Sequence, residues 1–143
     1  MDIDVASNLK KILSDLPQET RLVAVSKFHP SEYIQAAYQA GQRIFGESHE
    51  QELVKKYDQL PKDIQWHFIG HLQTNKVKYI APFISMIESV DSLKLMKEIN
   101  KQAAKYNRTV NVLLELHIAE EAAKTGRHLS SPQEVCRCRQ ALA

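Results

Sequence analysis

Leu22-Val23-Ala24-Val25-Ser26-Lys27, followed at once by Phe28-His29-Pro30-Ser31, is the stretch that decides the fold. A short apolar run rich in β-branched residues is typical of a buried strand. Pro30 then takes the first position of a helix, where its missing N–H costs nothing. The stretch therefore predicts one strand–helix unit, with Lys27 at the carboxyl end of the strand.

The same unit recurs along the chain. A helix over residues 4–16 comes first, and four further apolar runs are predicted as strands: 43–46, 66–70, 86–90 and, as a central strand, 110–118. Alternating strands and helices, without consecutive strands, favour parallel strands joined by right-handed crossovers. The predicted class is α/β, with about five parallel strands and helices outside. It is either an open doubly wound sheet or part of an eight-stranded barrel.

Capping residues mark the ends of the predicted helices. Gly41 is predicted to end the second helix, and Ser48, three residues before Gln51, matches the capping box that opens the third. Asp91 is predicted to cap a later helix, whose buried stripe is Leu95, Met96, Ile99 and Ala103. The segment 131–134 is predicted to open a last helix.

Composition indicates a single domain over residues 1–143. The chain is 43% hydrophobic and 25% charged, and its net charge of +2 comes from basic residues scattered among acidic ones. This pattern argues against nucleic-acid binding, which needs clustered positive charge. No run approaches the roughly 20 apolar residues of a membrane span. An acidic start without a signal-peptide pattern predicts a cytoplasmic protein.

Metal binding is an alternative interpretation for two sets of residues. Cys136 and Cys138 are predicted to be reduced thiols, and a metal site that adds His128 is the alternative. His67 and His71 are four residues apart, but they do not share a helical face. No metal site is therefore assigned.

Parallel strands bring the residues that follow them to one edge of the sheet, where such folds hold ligands. That edge is predicted to carry Lys27 and the residues 46–48, 70–73, 89–91 and 118–124. A lysine at the end of an apolar strand is expected to be partly desolvated, which favours the nucleophilic free amine. Such an amine forms an imine with an aldehyde, above all with pyridoxal phosphate. The alternative is a lysine that ends the strand only to reach water.

Several short motifs, taken in order, resemble those of one family. They are Ala24-Val25-Ser26-Lys27, Phe45-Gly46-Glu47, Gln51-Glu52, Trp66-His67-Phe68-Ile69-Gly70, Leu72-Gln73, Asn75-Lys76, Ser89-Val90-Asp91, and Lys124 with Gly126 two residues on. Their order and spacing resemble the pyridoxal phosphate homeostasis proteins, whose fold is similar to the barrel domain of alanine racemase. The resemblance implies a partial TIM-type (β/α) barrel, preceded by an N-terminal helix.

The resemblance also implies a site for pyridoxal 5'-phosphate. Lys27 is expected to hold the cofactor as an aldimine, and Ser48, His67 and Gly70 are the other expected cofactor-binding residues. Ser48 stands where the family has Asn, so its hydrogen bond has a shorter reach. Lys124 corresponds to a family lysine near the mouth of the site. No residue is assigned a catalytic role.

Length is the main departure from the family. An eight-unit barrel takes roughly 250 residues, whereas five units are predicted here. The absent units are implied to grip the cofactor phosphate, so the chain is expected to be a truncated product or a fragment. Two strand edges would be exposed, and an edge-paired or swapped dimer would cover them.

The predicted function is cofactor homeostasis. The protein is expected to hold pyridoxal phosphate and to hand it to PLP-dependent acceptor enzymes. Catalysis is not expected, because racemisation needs bases on both faces of the substrate adduct and the sequence provides no clear second base. The alternatives are a fold-type III amino-acid racemase-like enzyme and a truncated fragment that retains no binding.

The remaining lysine motifs and Trp66 are interpreted as structural, without a role in function. The run Lys55-Lys56 and the pair Lys76 and Lys78 are predicted to be solvated helix faces. Trp66, at the start of the third strand, is predicted to belong to the core.

Overall fold

The computed structural model describes residues 3–116 and residue 118. Helices and strands alternate along this part of the chain, as the sequence predicts. The strands are β1 (Ala24–Val25), β2 (Ile44–Glu47), β3 (Gln65–Phe68), β4 (Met86–Val90) and β5 (Asn111–Leu114). The helices are α1 (Val5–Asp15), α2 (Ser31–Gln39), α3 (Glu50–Gln59), α4 (Val77–Ile80), which follows a 3₁₀ turn over Thr74–Lys76, and α5 (Leu93–Lys105).

The strands form one parallel sheet in the order β1-β2-β3-β4-β5. Each strand pairs with the next strand along the chain, and the order never reverses. A doubly wound sheet reverses its order at a switch point, whereas a barrel continues in one direction. The order therefore confirms the barrel alternative, and the described residues form a partial barrel.

The core contains large side chains from β2 and β3. Phe45, Trp66 and Phe68 are each about 1% exposed, and the rings of Phe45 and Trp66 lie 5.9 Å apart. Phe45 and Trp66 are also register partners, so they share one face of the sheet. The prediction that Trp66 belongs to the core is confirmed. The stripe predicted for α5 is buried as well: Leu95, Met96, Ile99 and Ala103.

The opposite face of the sheet is the one that a closed barrel turns inward, and we call it the inner face. Register partners share a face, so one row of this face is Val25, Gly46, His67, Met86 and Asn111. At the β1 end of this row Val25 is 52% exposed. The inner face is therefore partly open to solvent in the described part of the chain.

Two strands differ from the sequence prediction. The predicted strand over 22–27 is reduced to β1, because it pairs only with β2 among the described residues. The fifth strand was predicted to be central, but β5 lies at the edge of the described sheet. Its side chains are accordingly exposed or half-buried. A run of apolar residues predicts that a strand is buried, but it does not predict whether the strand is central or at the edge of the sheet.

Two predicted helix caps are also wrong. The N-cap of α3 is His49, which makes no side-chain capping hydrogen bond, so Ser48 does not open a capping box. The N-cap of α5 is Ser92, whose hydroxyl accepts a hydrogen bond from the Leu95 N–H at 3.2 Å. Gly41 behaves as predicted, since it follows α2 with a φ of 106° that glycine adopts without strain.

Some predictions lie outside the described residues. They concern the helix predicted at 131–134, Lys124, His128, Cys136 and Cys138. Within the described part, none of the helices has both the length and the apolar character needed to cross a membrane.

Candidate functional site

Lys27, Ser48 and Gly70 follow β1, β2 and β3, so all three lie at the carboxyl-terminal edge of the parallel sheet. Along the chain, Lys27 and Ser48 each come two residues after the register partners Val25 and Gly46. This is the edge at which barrels and related folds bind ligands. The structure therefore places three of the four residues predicted to bind the cofactor after neighbouring strands, at the same edge of the sheet.

Lys27 is exposed, whereas the sequence analysis expected it to be partly desolvated. The expectation is wrong because β1 is an edge strand in the described part, and no neighbouring strand covers its outer side there. Within residues 3–116 and 118, its Nζ has no hydrogen-bond or ion-pair partner. Lys27 thus presents an accessible amine that no described carboxylate engages, and its exposure agrees with the alternative in which the lysine ends the strand to reach water.

The turn that carries Lys27 has an uncommon backbone conformation. The Ser26 carbonyl accepts a hydrogen bond from the His29 N–H at 3.1 Å, which closes a four-residue turn. Its third residue, Phe28, has a φ of 65°. Glycine usually occupies such a position, because a side chain is strained at positive φ. The Phe28 N–H donates to Glu52 Oε1 at 2.7 Å, and this bond holds the residue in place.

A buried ionic cluster lies directly behind this turn. Lys56 Nζ is 2.6 Å from Glu47 Oε1, 2.7 Å from Glu52 Oε1 and 2.8 Å from the Ser26 carbonyl oxygen. The Ser26 hydroxyl donates to the same Glu47 oxygen at 2.7 Å. Glu47 is completely buried and Lys56 is 5% exposed. We call Ser26, Glu47, Glu52 and Lys56 the lysine-turn cluster.

The cluster corrects the prediction that the Lys55-Lys56 run is a solvated helix face. Lys55 is exposed as predicted, but Lys56 points into the cluster. One signal was available in the sequence, because Glu52 and Lys56 are four residues apart with the Glu first, a spacing that favours an ion pair on a helix. Burial of that pair depends on Glu47, which belongs to another element. The Lys76 and Lys78 prediction is right for Lys78, whereas Lys76 is partly covered and pairs with Glu50 at 3.2 Å.

The two carboxylates of the cluster respond differently to their surroundings. Burial raises the pKa of Glu47, although hydrogen bonds from Lys56 and Ser26 oppose this. Burial alone would also raise the pKa of Glu52, but the hydrogen bonds from Lys56 and the Phe28 N–H outweigh it and lower the pKa. The Glu52 carboxylate, which holds the turn, is therefore stabilised in its charged form.

Ser48 and Gly70 are in direct contact. A Cβ placed on Gly70 would lie 2.6 Å from the Ser48 carbonyl oxygen and 2.7 Å from the Ser48 Cβ. Side chains do not approach backbone so closely, so this position requires glycine.

His67, the fourth predicted residue, lies inside β3 rather than at the strand end. It belongs to the inner-face row, is 7% exposed, and its Nδ1 lies 2.7 Å from Glu88 Oε1 on β4. Glu88 thereby sets the orientation of the imidazole ring. Among the described residues, no three side chains of the metal-binding types converge.

These groups can be compared with what pyridoxal phosphate requires. Its aldehyde needs an accessible amine without a competing partner, and Lys27 meets that condition within the described residues. Ser48 offers a hydroxyl at the same edge, and His67 offers an oriented ring nearer the middle of the sheet. The described residues therefore fit the aldehyde end of this cofactor.

The strand order defines a protein of the βα-barrel class, and proteins of this class bind their ligands at the carboxyl-terminal side of the sheet. The family described as alanine racemase, N-terminal domain, matches residues 4–142. The chain belongs to that family.

The relatives agree with the resemblance predicted from the motifs. The pyridoxal phosphate homeostasis protein of Schizosaccharomyces pombe is 42% identical over 118 residues, which cover 81% of this chain and 50% of the relative. PipY of Synechococcus elongatus, solved with PLP bound, is 33% identical with a TM-score of 0.80, covering 96% of this chain and 63% of PipY. The predicted resemblance to the homeostasis family is confirmed.

A more distant structure supports the fold alone. Alanine racemase from E. faecalis is 17% identical, with a TM-score of 0.73 over 96% of this chain and 37% of the racemase. The chain spans about half the length of the first curated relatives that it matches.

Proposed function

We propose that this chain binds pyridoxal 5'-phosphate through Lys27 and takes part in the homeostasis of that cofactor. The observation that carries the proposal is the accessible Lys27 amine at the carboxyl-terminal edge of the sheet, the edge that Ser48 also follows. Two findings support it: relatives are named pyridoxal phosphate homeostasis proteins, and the structure of PipY contains PLP.

Lys27 acts as the nucleophile in this proposal. Its Nζ would hold the cofactor through a carbon–nitrogen double bond to the aldehyde carbon, with the aldehyde oxygen released as water together with the two protons of the amine. When bound, the cofactor supplies an electron-accepting ring. The exposure of Lys27 favours release as well as capture, because water or another amine has access to the same bond.

Three other residues are proposed to position the cofactor. The Ser48 hydroxyl donates or accepts a hydrogen bond beside Lys27. His67, fixed by Glu88, presents its ring from the inner face. Gly70 acts indirectly, because its missing side chain lets the end of β3 approach the Ser48 backbone.

A carrier role is proposed rather than catalysis. Racemisation needs a base on each face of the adduct between substrate and cofactor. Lys27 provides one such group, whereas His67 is nearly buried and already bonded to Glu88. We infer that the protein hands the cofactor to acceptor enzymes. Exchange of the α-proton of alanine in deuterated water distinguishes the two roles, because a racemase-like enzyme catalyses it and a carrier does not.

The test is to add pyridoxal phosphate to the whole chain and to its Lys27→Ala variant. The wild-type chain is expected to develop the absorbance of the carbon–nitrogen double bond. Borohydride should then reduce this bond, so that the cofactor stays attached to the peptide that contains Lys27. Lys27→Ala should lose both signals. Lys55→Ala is the matched control, because Lys55 is an exposed lysine on α3 and its loss should change neither signal.

Equal spectra from the wild-type chain and Lys27→Ala would show that the site is assigned wrongly. Labelling spread over many lysines would point to unspecific reaction with surface amines. The cytoplasmic location, the acceptor enzymes and the edge-paired or swapped dimer remain predictions.

A further inference from the structure

The lysine-turn cluster touches the segment that carries Lys27 at several points. Lys56 Nζ bonds to the Ser26 carbonyl oxygen, Glu47 accepts from the Ser26 hydroxyl, and Glu52 accepts from the Phe28 N–H. The residues on both sides of Lys27 are thus held, while its own side chain has no partner in the described part of the chain.

The bond from Phe28 is the distinctive one. At a φ of 65°, Phe28 is in a conformation that is strained for a residue with a side chain. Its side chain does not account for this conformation, because it is 74% exposed and its described ring contact is with His49, which is itself exposed. The Glu52 carboxylate, in contrast, lies 2.7 Å from the Phe28 nitrogen.

We propose that the lysine-turn cluster positions Lys27, with Glu52 holding Phe28 at positive φ so that the Lys27 amine faces the ligand edge. Lys56 in turn holds the Glu52 carboxylate, since its Nζ donates to the same Oε1 that accepts from the Phe28 N–H. These are positioning residues, since none of them is proposed to touch the cofactor. The inference rests on the proposed function and identifies the residues that would hold Lys27 in place for it.

If the cluster had only a structural role, the effect of replacing Glu52 would not depend on the residue at position 28. The cluster joins β1, β2 and α3, so removing any member lowers stability in either case. Only the positioning role makes the effect of Glu52 depend on the residue at position 28. Glycine adopts positive φ as readily as negative φ, so it has less need of the bond from Glu52.

The first measurement needs no cofactor. Amide hydrogen exchange is recorded for the whole chain and for Glu52→Ala, and the Phe28 amide is expected to lose its protection in the variant. Glu50→Ala is the matched control, because Glu50 lies in the same first turn of α3 but pairs with the partly exposed Lys76. It should leave the exchange of the Phe28 amide unchanged.

The second measurement follows the rate at which added pyridoxal phosphate reacts with Lys27. Glu52→Ala is expected to slow the reaction about tenfold, the factor that corresponds to the cost of positive φ. In the Phe28→Gly background the same substitution should cost only about twofold, a coupling that a double-mutant cycle measures. If Glu52→Ala does not fold, Glu52→Asp is used, since it keeps the charge but draws the carboxylate back from Phe28.

The outcomes separate the two proposals. Unchanged exchange at the Phe28 amide, or an equal loss of rate in both backgrounds, overturns the positioning role and leaves the binding role intact. A wild-type chain that forms no bond with the cofactor overturns the proposed function and this inference with it.

Discussion

Lys55 and Lys56 are neighbours with opposite environments. Lys55 is exposed, whereas Lys56 is 5% exposed and bonds to two carboxylates and a carbonyl oxygen. A buried charge is tolerated only when its partners remain, because removing one member leaves the other charge without compensation. Loss of Lys56 is therefore expected to be costly, because Glu47 has no access to solvent and would lose its charged partner.

Lys56→Met is expected to lower the free energy of unfolding by about 3 kcal/mol, because it leaves Glu47 buried with only the Ser26 hydroxyl as a partner. Lys55→Met removes the same charge from the exposed neighbour and should change stability by no more than about 0.5 kcal/mol. Urea unfolding of both variants makes the comparison. Similar small decreases in the free energy of unfolding of both variants would mean that the cluster does not contribute this stability.

At the scale of elements, the ends of β2 and β3 are held together at one point. The contact of Gly70 with Ser48 involves backbone, which cannot rotate out of the way as a side chain can. Gly46 offers a comparison within the same two strands, because a Cβ there would meet only side-chain atoms of Ile69 and Val23, at 3.1 Å or more.

Gly70→Ala is expected to destabilise the protein by about 1–3 kcal/mol, because the new methyl group forces the two strand ends apart. The displacement should also weaken cofactor binding through Ser48. Gly46→Ala should cost less, since the side chains of Ile69 and Val23 can adjust. Urea unfolding and a titration with pyridoxal phosphate test both effects. A greater loss of stability for Gly46→Ala would contradict this interpretation of the contact.

At the scale of the whole molecule, the lysine-turn cluster makes stability depend on pH. The pKa of Glu52 is below its ordinary value of 4.5 in the folded chain. The unfolded chain therefore binds a proton at Glu52 before the folded chain does as pH falls. The stability contributed by Glu52 is fully present above the ordinary pKa and is lost as pH falls through the lowered one. Glu47, with a raised pKa, acts in the opposite direction.

Glu52→Gln isolates this contribution, because it removes the titrating group and keeps the shape of the side chain. The variant is expected to be less stable than wild type at pH 7, and the difference should shrink as pH falls below the ordinary pKa of 4.5 and the wild-type carboxylate takes up its proton. Urea unfolding at several pH values measures it. Glu50→Gln, at a partly exposed ion pair, should show a small difference throughout. A difference for Glu52→Gln that grows in acid would reverse the assigned sign.

The sequence by itself determined the class of fold and the edge at which the site is proposed. Runs such as 86–90, which coincides with β4, and the buried stripe of α5 are local patterns of hydrophobicity, and local patterns survive in the folded chain. The motifs around Lys27 and Gly70 also reported the family, which the match over residues 4–142 bears out.

Only the tertiary structure decided which polar residues are buried together and which strands have neighbours. The exposure of Lys27, the edge position of β5 and the burial of Lys56 all depend on elements distant in the chain. Lys56 meets Glu47 and Ser26 from nine and thirty residues away. Such contacts leave no periodic signal, because the energy of a buried ion pair depends on the three-dimensional arrangement of its partners rather than on their spacing in sequence.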